Sequence, residues 1–161
     1  MALGLPLIPA ATLRAQSPPL APAVNPDSGN LRAFVELARS DIRTQKSVVL
    51  AENMDLTADE AVEFWPIQHK YEMDLDKLLN RRYDLIRQFV GGYPKMSGDE
   101  AKRLAEQVFD LEEKRTNLKR KYFKAFCKVI PPQKAARFFQ IENQLNMAVD
   151  LQLAASLPLI K

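Results

Sequence analysis

A helix start followed by a long apolar stripe constrains the fold of this chain most strongly. Thr57 and Glu60 have the spacing of a capping box, in which each side chain accepts a hydrogen bond from the other residue's backbone N–H. Leu56 lies just outside the cap, where it can pack on the first turn. The apolar residues that follow recur at helical spacing and are Phe64, Ile67, Tyr71, Leu75, Leu78, Leu79, Leu85, Ile86 and Phe89. The pattern predicts one long helix that ends at residues 91–94.

Pro66 lies two turns into this predicted helix. A proline at such a position removes one backbone donor and clashes with the preceding turn. We therefore expect a kink at Pro66, or a short helix followed by a new one.

A second capping box, formed by Ser97 and Glu100, begins the next predicted helix. Its apolar residues alternate by three and four, as in a helix packed against another helix, and are Ala101, Leu104, Val108, Leu111, Leu118, Tyr122, Ala125 and Val129. Arg115 interrupts this stripe, and we expect its long side chain to reach the edge of the bundle. Because the link between the two helices is short, they should be antiparallel neighbours.

The charges at the ends of the predicted hairpin support this pairing. Counting back from the turn brings acidic residues at the start of one helix close to basic residues at the end of the other. The residues involved are Asp59, Glu60 and Glu63 on the first helix, and Lys124 and Lys128 on the second.

Two further apolar patterns flank the hairpin. Before it, Leu31, Phe34, Val35, Ala38 and Ile42 predict a helix that runs to about residue 50. After it, prolines 131 and 132 start a fourth helix. That helix carries Ala135, Phe138, Phe139, Ile141, Leu145, Ala148, Val149 and Leu151, and fades near residues 155–158. The sequence thus predicts an all-α domain of four helices over residues 31–155, with a long central antiparallel hairpin and a tail at 156–161.

The first thirty residues have a different character. Residues 2–13 are apolar and rich in small side chains, and a cleavage site could follow Ala15. We interpret residues 1–15 as the remnant of a signal peptide that lacks its positively charged opening, which implies export. The alternative is an apolar tail of a cytoplasmic protein. Residues 16–30 contain four prolines and are expected to form an extended linker.

Composition excludes several classes of function. The 161 residues suit one domain, and the net charge of +3 is too small to imply a nucleic-acid partner. Cys127 is the only cysteine, so an intrachain disulfide is excluded, and with a single histidine, His69, the chain offers little for structural zinc. We expect His69 to be exposed or capping and Cys127 to serve as a small buried hydrophobe, a redox role being the alternative. No nucleophile or phosphate-binding loop is evident, so we expect neither an enzyme nor a cofactor.

A basic stretch is the strongest candidate for a binding surface. Between residues 114 and 137 there are nine lysines and arginines and no acidic residue, whereas residues 99–113 are acidic. Acidic residues at the start of a helix and basic residues at its end complement the helix dipole, which explains the order of the charges. The dipole does not explain why the basic residues continue past prolines 131 and 132. We therefore expect a cationic surface for acidic or unfolded polypeptide, with anionic lipid headgroups as the alternative. The candidate contact residues are Lys119, Arg120, Lys124, Lys128, Arg137, Phe138 and Phe139.

Short motifs around the hairpin resemble those of a known family. Residues 56–60, Leu-Thr-Ala-Asp-Glu, resemble the Leu-Thr-x-x-Gln box of the Spy/CpxP-type periplasmic proteins, with Glu in place of the final Gln. Residues 130–134, Ile-Pro-Pro-Gln-Lys, are similar to a second copy, in which Pro132 replaces Thr and Gln133 comes one position early. Trp65, within Phe-Trp-Pro-Ile, looks like a feature of a secreted branch of this group.

The resemblance implies a cradle-shaped homodimer in the periplasm. It also implies an ATP-independent chaperone or envelope-stress protein that binds unfolded polypeptide. The alternatives are a regulatory partner that docks on a membrane stress or metal sensor without general chaperone activity, and a cytoplasmic helical adaptor. With one histidine and five scattered methionines, this chain departs from the metal-responsive members of the group.

Overall fold

Four helices account for most of residues 46–156, the part of the chain that the computed structural model describes; side chains are described for 46–147 and 150. Helix α1 includes residues 46–53, and it is followed by α2 (Ala58–Gly92), α3 (Gly98–Phe126) and α4 (Pro132–Ser156). No strand occurs within this range. The predicted all-α fold of four helices is confirmed. The predictions for the signal peptide, the linker, the start of the first helix and the tail after residue 156 lie outside the described residues.

Both predicted capping boxes are present. Thr57 Oγ1 accepts from the Glu60 N–H at 3.2 Å, and Glu60 Oε2 accepts from the Thr57 N–H at 2.8 Å. The corresponding bonds between Ser97 and Glu100 measure 3.3 and 2.9 Å. Each box satisfies backbone donors that the first turn leaves without helical partners, and thereby fixes where α2 and α3 begin.

Helix α2 continues through Pro66, which excludes the second of the two predicted alternatives, a short helix followed by a new one; the kink stays a prediction. Pro66 is exposed, and so is Val62, whose carbonyl is the one that loses its helical donor. Because this part of the helix faces water, solvent can hydrate the freed carbonyl. The Val62 carbonyl therefore needs no hydrogen-bond donor from the protein.

Helices α2 and α3 form the predicted antiparallel hairpin. Near the turn, the Arg81 guanidinium donates to Gln107 Oε1 at 2.8 Å. Further from it, Asp74 Oδ2 accepts from the Tyr122 hydroxyl at 2.9 Å. One expected pairing differs, because Glu60 forms its ion pair with Lys134 of α4, at 2.6 Å, and not with Lys124 or Lys128. The first turn of α4 returns over the start of α2, and this topology brings the lysine into reach.

Aromatic rings fill the core at the open end of the hairpin. The Phe64 and Phe126 rings stack at 4.9 Å, and Phe138 packs against them at 5.7 and 4.8 Å. The ring of Tyr71 lies 5.6 Å from that of Phe138. Helix α1 and the residue after it complete this core with two fully buried side chains, Leu50 and Met54. All four helices therefore meet at this end.

The other end of the hairpin is thinly packed. Between residues 86 and 110 no residue is buried, and the nearest buried apolar side chains are Leu85 and Leu111. Val108, predicted to lie in the apolar stripe, is 40% exposed. We call residues 86–110 the distal arm.

Candidate functional site

Three of the predicted basic residues form an exposed ridge. Arg120 and Lys124 lie one turn apart on α3, and Lys128 follows in the turn that leads to α4. All three are exposed. We call Arg120, Lys124 and Lys128 the basic ridge.

Two other predicted basic residues make specific contacts inside the molecule. Lys119 is half-buried, and its ammonium donates to Asn143 Oδ1 on α4 at 2.7 Å. Burial and the neighbouring charge of Arg115 lower the pKa of Lys119. Arg137 is exposed, and its guanidinium donates to the Asn53 carbonyl at 3.2 Å. Arg137 therefore helps to hold α1 against α4, in addition to any role at the surface.

Phe138 does not belong to the binding surface, which corrects the sequence prediction. Its side chain is fully buried, with Phe64, Tyr71 and Phe126 around it. Helical periodicity alone did not decide which of Phe138 and Phe139 faces the core. The adjacent Phe139 is half-buried and contacts the rings of Tyr71 at 5.7 Å and Phe123 at 6.2 Å.

Two exposed phenylalanines lie on one side of α3 with Thr116 between them, and the sequence analysis did not predict this row of residues. Phe109, Thr116 and Phe123 are seven residues apart and therefore lie along one side of the helix. Phe109 is 71% exposed and Phe123 is 37% exposed. We call Phe109, Thr116 and Phe123 the α3 stripe. The basic ridge begins beside its Phe123 end, and Phe139 continues the apolar surface onto α4.

A buried charge cluster ties α1 to α2 and α4. The Lys46 ammonium forms ion pairs with both Glu72 and Glu142. Glu142 is 1% exposed and also accepts from the Tyr71 hydroxyl at 3.1 Å and from the Asn146 amide at 2.8 Å. Burial raises the pKa of Glu72, although the Lys46 charge opposes the shift. One lysine thus balances two carboxylates, of which that of Glu142 is buried and that of Glu72 is 22% exposed.

Glu142 could have been found in the sequence. It lies four residues after Phe138 and next to Ile141, within the predicted apolar stripe of α4. An acidic residue at a core position indicates a buried partner. The identity of that partner could not be predicted, because Lys46 is 96 positions away.

Arg115 does not reach the edge of the bundle, contrary to the prediction. It is 9% exposed, and its guanidinium Nη1 lies 3.8 Å from Asp150 Oδ2. Arg82 of α2 forms an ion pair with the other oxygen of the same carboxylate. The arginine is buried where α3 packs against α4, and its guanidinium is directed toward the Asp150 carboxylate of α4.

The motif residues serve to position the helices. Thr57 and Glu60 cap α2, and Leu56 and Trp65 are half-buried against the aromatic core. Pro132 is the first residue of α4 and is exposed, as is Gln133. Lys134, next in the second box, donates to both Glu60 and the carbonyl of Asp55. These bonds join the two boxes in space.

His69 is exposed, and Cys127 is half-buried against the core at the end of α3. Within residues 46–156, no three or more histidine, cysteine, aspartate or glutamate side chains are grouped as metal ligands would be. In the same part of the chain, no helix combines the length and the apolar character that crossing a membrane requires.

Comparisons with known proteins gave no match for this chain. No family model matches it, and neither a curated protein nor a solved structure gives a significant match.

Proposed function

We propose that this protein binds unfolded polypeptide without ATP, as a holding chaperone or envelope-stress protein, on the outer surface of α3. The observation that carries the proposal is the α3 stripe next to the basic ridge. Phe109 and Phe123 expose 71% and 37% of their surface on a helix that is otherwise strongly charged. Exposed aromatic side chains bordered by charge are typical of surfaces that contact other chains.

The chemistry of this surface suits unfolded segments. Contact between an exposed aromatic ring and an apolar side chain is favourable for apolar side chains of many shapes. Arg120, Lys124 and Lys128 attract carboxylates over a range of about 10 Å at moderate salt. Near Phe109, in contrast, the flanking residues Asp110, Glu112 and Glu113 are acidic. Client segments with both apolar and charged residues can therefore find complementary partners along one helix.

The proposal includes a homodimer located in the periplasm. Both features rest on the resemblance of residues 56–60 and 130–134 to the boxes of the Spy/CpxP-type proteins. Size-exclusion chromatography with light scattering tests the dimer. Mass spectrometry of the natively produced protein tests export, for which a mature chain that begins at Gln16 is expected.

The main test measures aggregation of a chemically denatured model client after dilution, without ATP. The wild-type protein should suppress light scattering at near-stoichiometric ratios. Reversing the charge at Lys124→Glu/Lys128→Glu should weaken suppression at low salt and matter less at high salt. The matched control is Lys70→Glu/Lys95→Glu, which makes the same charge change at two exposed positions away from α3.

A second pair of variants tests the aromatic contribution. Phe109→Ser/Phe123→Ser should reduce suppression at all salt concentrations, because the apolar contact does not depend on charge. If the wild-type protein forms a stable helical dimer but suppresses no aggregation, the chaperone proposal is wrong. The regulatory-partner hypothesis then takes its place.

A further inference from the structure

Two arginines from different helices share one carboxylate at the side of the bundle. Arg82 of α2 pairs with Asp150 Oδ1, and Arg115 of α3 approaches Asp150 Oδ2 at 3.8 Å. Asp150 belongs to α4. Each guanidinium carries five N–H donors, so a single carboxylate leaves most of this donor capacity unused.

Of the two arginines, Arg115 has the less complete set of hydrogen bonds in this arrangement. It is 9% exposed, and its Nε is buried without a hydrogen-bond partner. A buried donor with no acceptor is costly, whereas a bidentate carboxylate would satisfy Nε and a terminal nitrogen together. Lys119, one turn further along α3, adds a third cation, and the charge of Arg115 contributes to its lowered pKa.

The shared carboxylate is accessible from outside. The side chains of Asp150 and Arg82 are 39% and 26% exposed, whereas that of Arg115 is 11% exposed. Asp150 is therefore the most exposed of these three residues. Met147, three residues earlier on α4, is 69% exposed and offers an apolar contact beside it.

We propose that Arg82 and Arg115 form a carboxylate seat, which Asp150 occupies in the free protein and an aspartate or glutamate of a bound polypeptide takes over. This inference rests on the proposed function and specifies its substrate: segments in which an acidic residue has apolar neighbours. The exchange replaces one carboxylate by another, so neither arginine is left without a counterion. Asp150 competes as part of the same chain, at an effective concentration of the order of millimolar.

Competition by Asp150 leads to a counterintuitive expectation. Asp150→Asn, which removes a negative charge, should increase the affinity for an acidic peptide by about five-fold, because the peptide no longer displaces an attached carboxylate. The probe is a fluorescently labelled, unstructured peptide of alternating glutamate and leucine, with a glutamine–leucine peptide of equal length for comparison. Fluorescence anisotropy reports the dissociation constants.

Controls separate the seat from general electrostatics. Asp59→Asn makes the same substitution at an exposed position of α2, outside the α3 surface, and should increase affinity much less. In the Asp150→Asn background, Arg82→Met should abolish the gain in affinity for the glutamate peptide. We choose Arg82 because its side chain is less buried than that of Arg115, so its removal is the milder change to the fold. The seat is refuted if Asp150→Asn and Asp59→Asn bind the glutamate peptide equally, or if Asp150→Asn gains as much affinity for the glutamine peptide.

A small carboxylate distinguishes failure of the seat from failure of the proposed function. Glutarate should raise the thermal midpoint of Asp150→Asn more than that of Asp59→Asn. If glutarate does so but no variant binds any peptide, the seat takes free carboxylates and polypeptide binding is wrong. If the wild-type protein holds denatured clients but Asp150→Asn gains affinity for neither probe, the seat is wrong and the proposed function stands.

Discussion

Single residues decide whether an aromatic ring stabilises the fold or is free to bind. Phe138 and Phe123 both lie in the basic, aromatic part of the sequence, yet the first is fully buried and the second is 37% exposed. Their substitution should therefore affect different properties.

Phe138→Ala should lower the free energy of unfolding by about 3–5 kcal/mol, because it leaves a cavity among Phe64, Tyr71 and Phe126. Phe123→Ala should cost about 1 kcal/mol or less, as is usual for surface positions. Urea denaturation measures both values. Equal losses for the two variants would show that the assignment of core and surface is wrong.

Lys46 should be the most sensitive charged residue in the described part of the chain. Lys46→Met leaves the buried Glu142 and the partly buried Glu72 without their cation and should cost about 3–5 kcal/mol. Adding Glu142→Gln should recover part of this loss, since the amide oxygen can still accept from the Tyr71 hydroxyl. The control Lys70→Met changes an exposed residue and should cost about 0.5 kcal/mol at most. A loss below about 1 kcal/mol for Lys46→Met would contradict the buried cluster.

Asp74 should contribute to stability in a pH-dependent manner. Hydrogen bonds from Lys77 and Tyr122 lower the pKa of its carboxyl to about 2. The unfolded chain therefore binds this proton more readily, so the contribution is present above the ordinary carboxyl pKa of about 4 and is lost toward pH 2. The wild-type protein should be more stable than Asp74→Asn at pH 5, and the difference should vanish near pH 2. A difference that stays constant over this range would exclude the mechanism.

At the scale of helices, stability should differ between the two ends of the hairpin. All four helices pack at the aromatic end, whereas the distal arm, residues 86–110, contains no buried residue. Local opening requires less free energy where fewer apolar contacts are broken.

Hydrogen exchange tests this difference directly. Amides of the distal arm should exchange faster than those of residues 64–75 and 122–141, measured by mass spectrometry at neutral pH. Phe138→Ala should accelerate exchange at the aromatic end, because its cavity lies there. Uniform protection along α2 and α3 would mean that the arm is held by contacts other than those described.

Local signals in the sequence were sufficient to predict the helices. The capping boxes at Thr57 and Ser97 involve residues three positions apart, and the apolar stripes depend only on helical period. Interactions between distant residues were not predictable in this way. Lys46 and Glu142 are 96 positions apart and Arg82 and Asp150 are 68 apart, so their pairing depends on how the helices pack. The predicted binding surface accordingly included Phe138, which packing buries, and missed Phe109, which packing leaves exposed.

At the scale of the whole molecule, the interior and the surface of the bundle have different roles. The aromatic core and the buried charge cluster fix the positions of the helices. The α3 stripe and the basic ridge lie outside that core, where a polypeptide can reach them, and the carboxylate seat is accessible through the partly exposed Arg82 and Asp150. Substitutions on the exposed surfaces should therefore weaken binding and leave the fold intact.

The most direct test is to titrate a permanently unfolded protein, reduced and alkylated so that it cannot refold, into the isotopically labelled chain. NMR then shows which amides and methyl groups are perturbed. Shifts should concentrate on the outer side of α3, around Phe109, Phe123 and Lys124, and should decrease in Phe109→Ser/Phe123→Ser. The absence of shifts, or shifts confined to the exposed side of α2 around Val62 and Met73, would show that the outer surface of α3 does not bind unfolded chains.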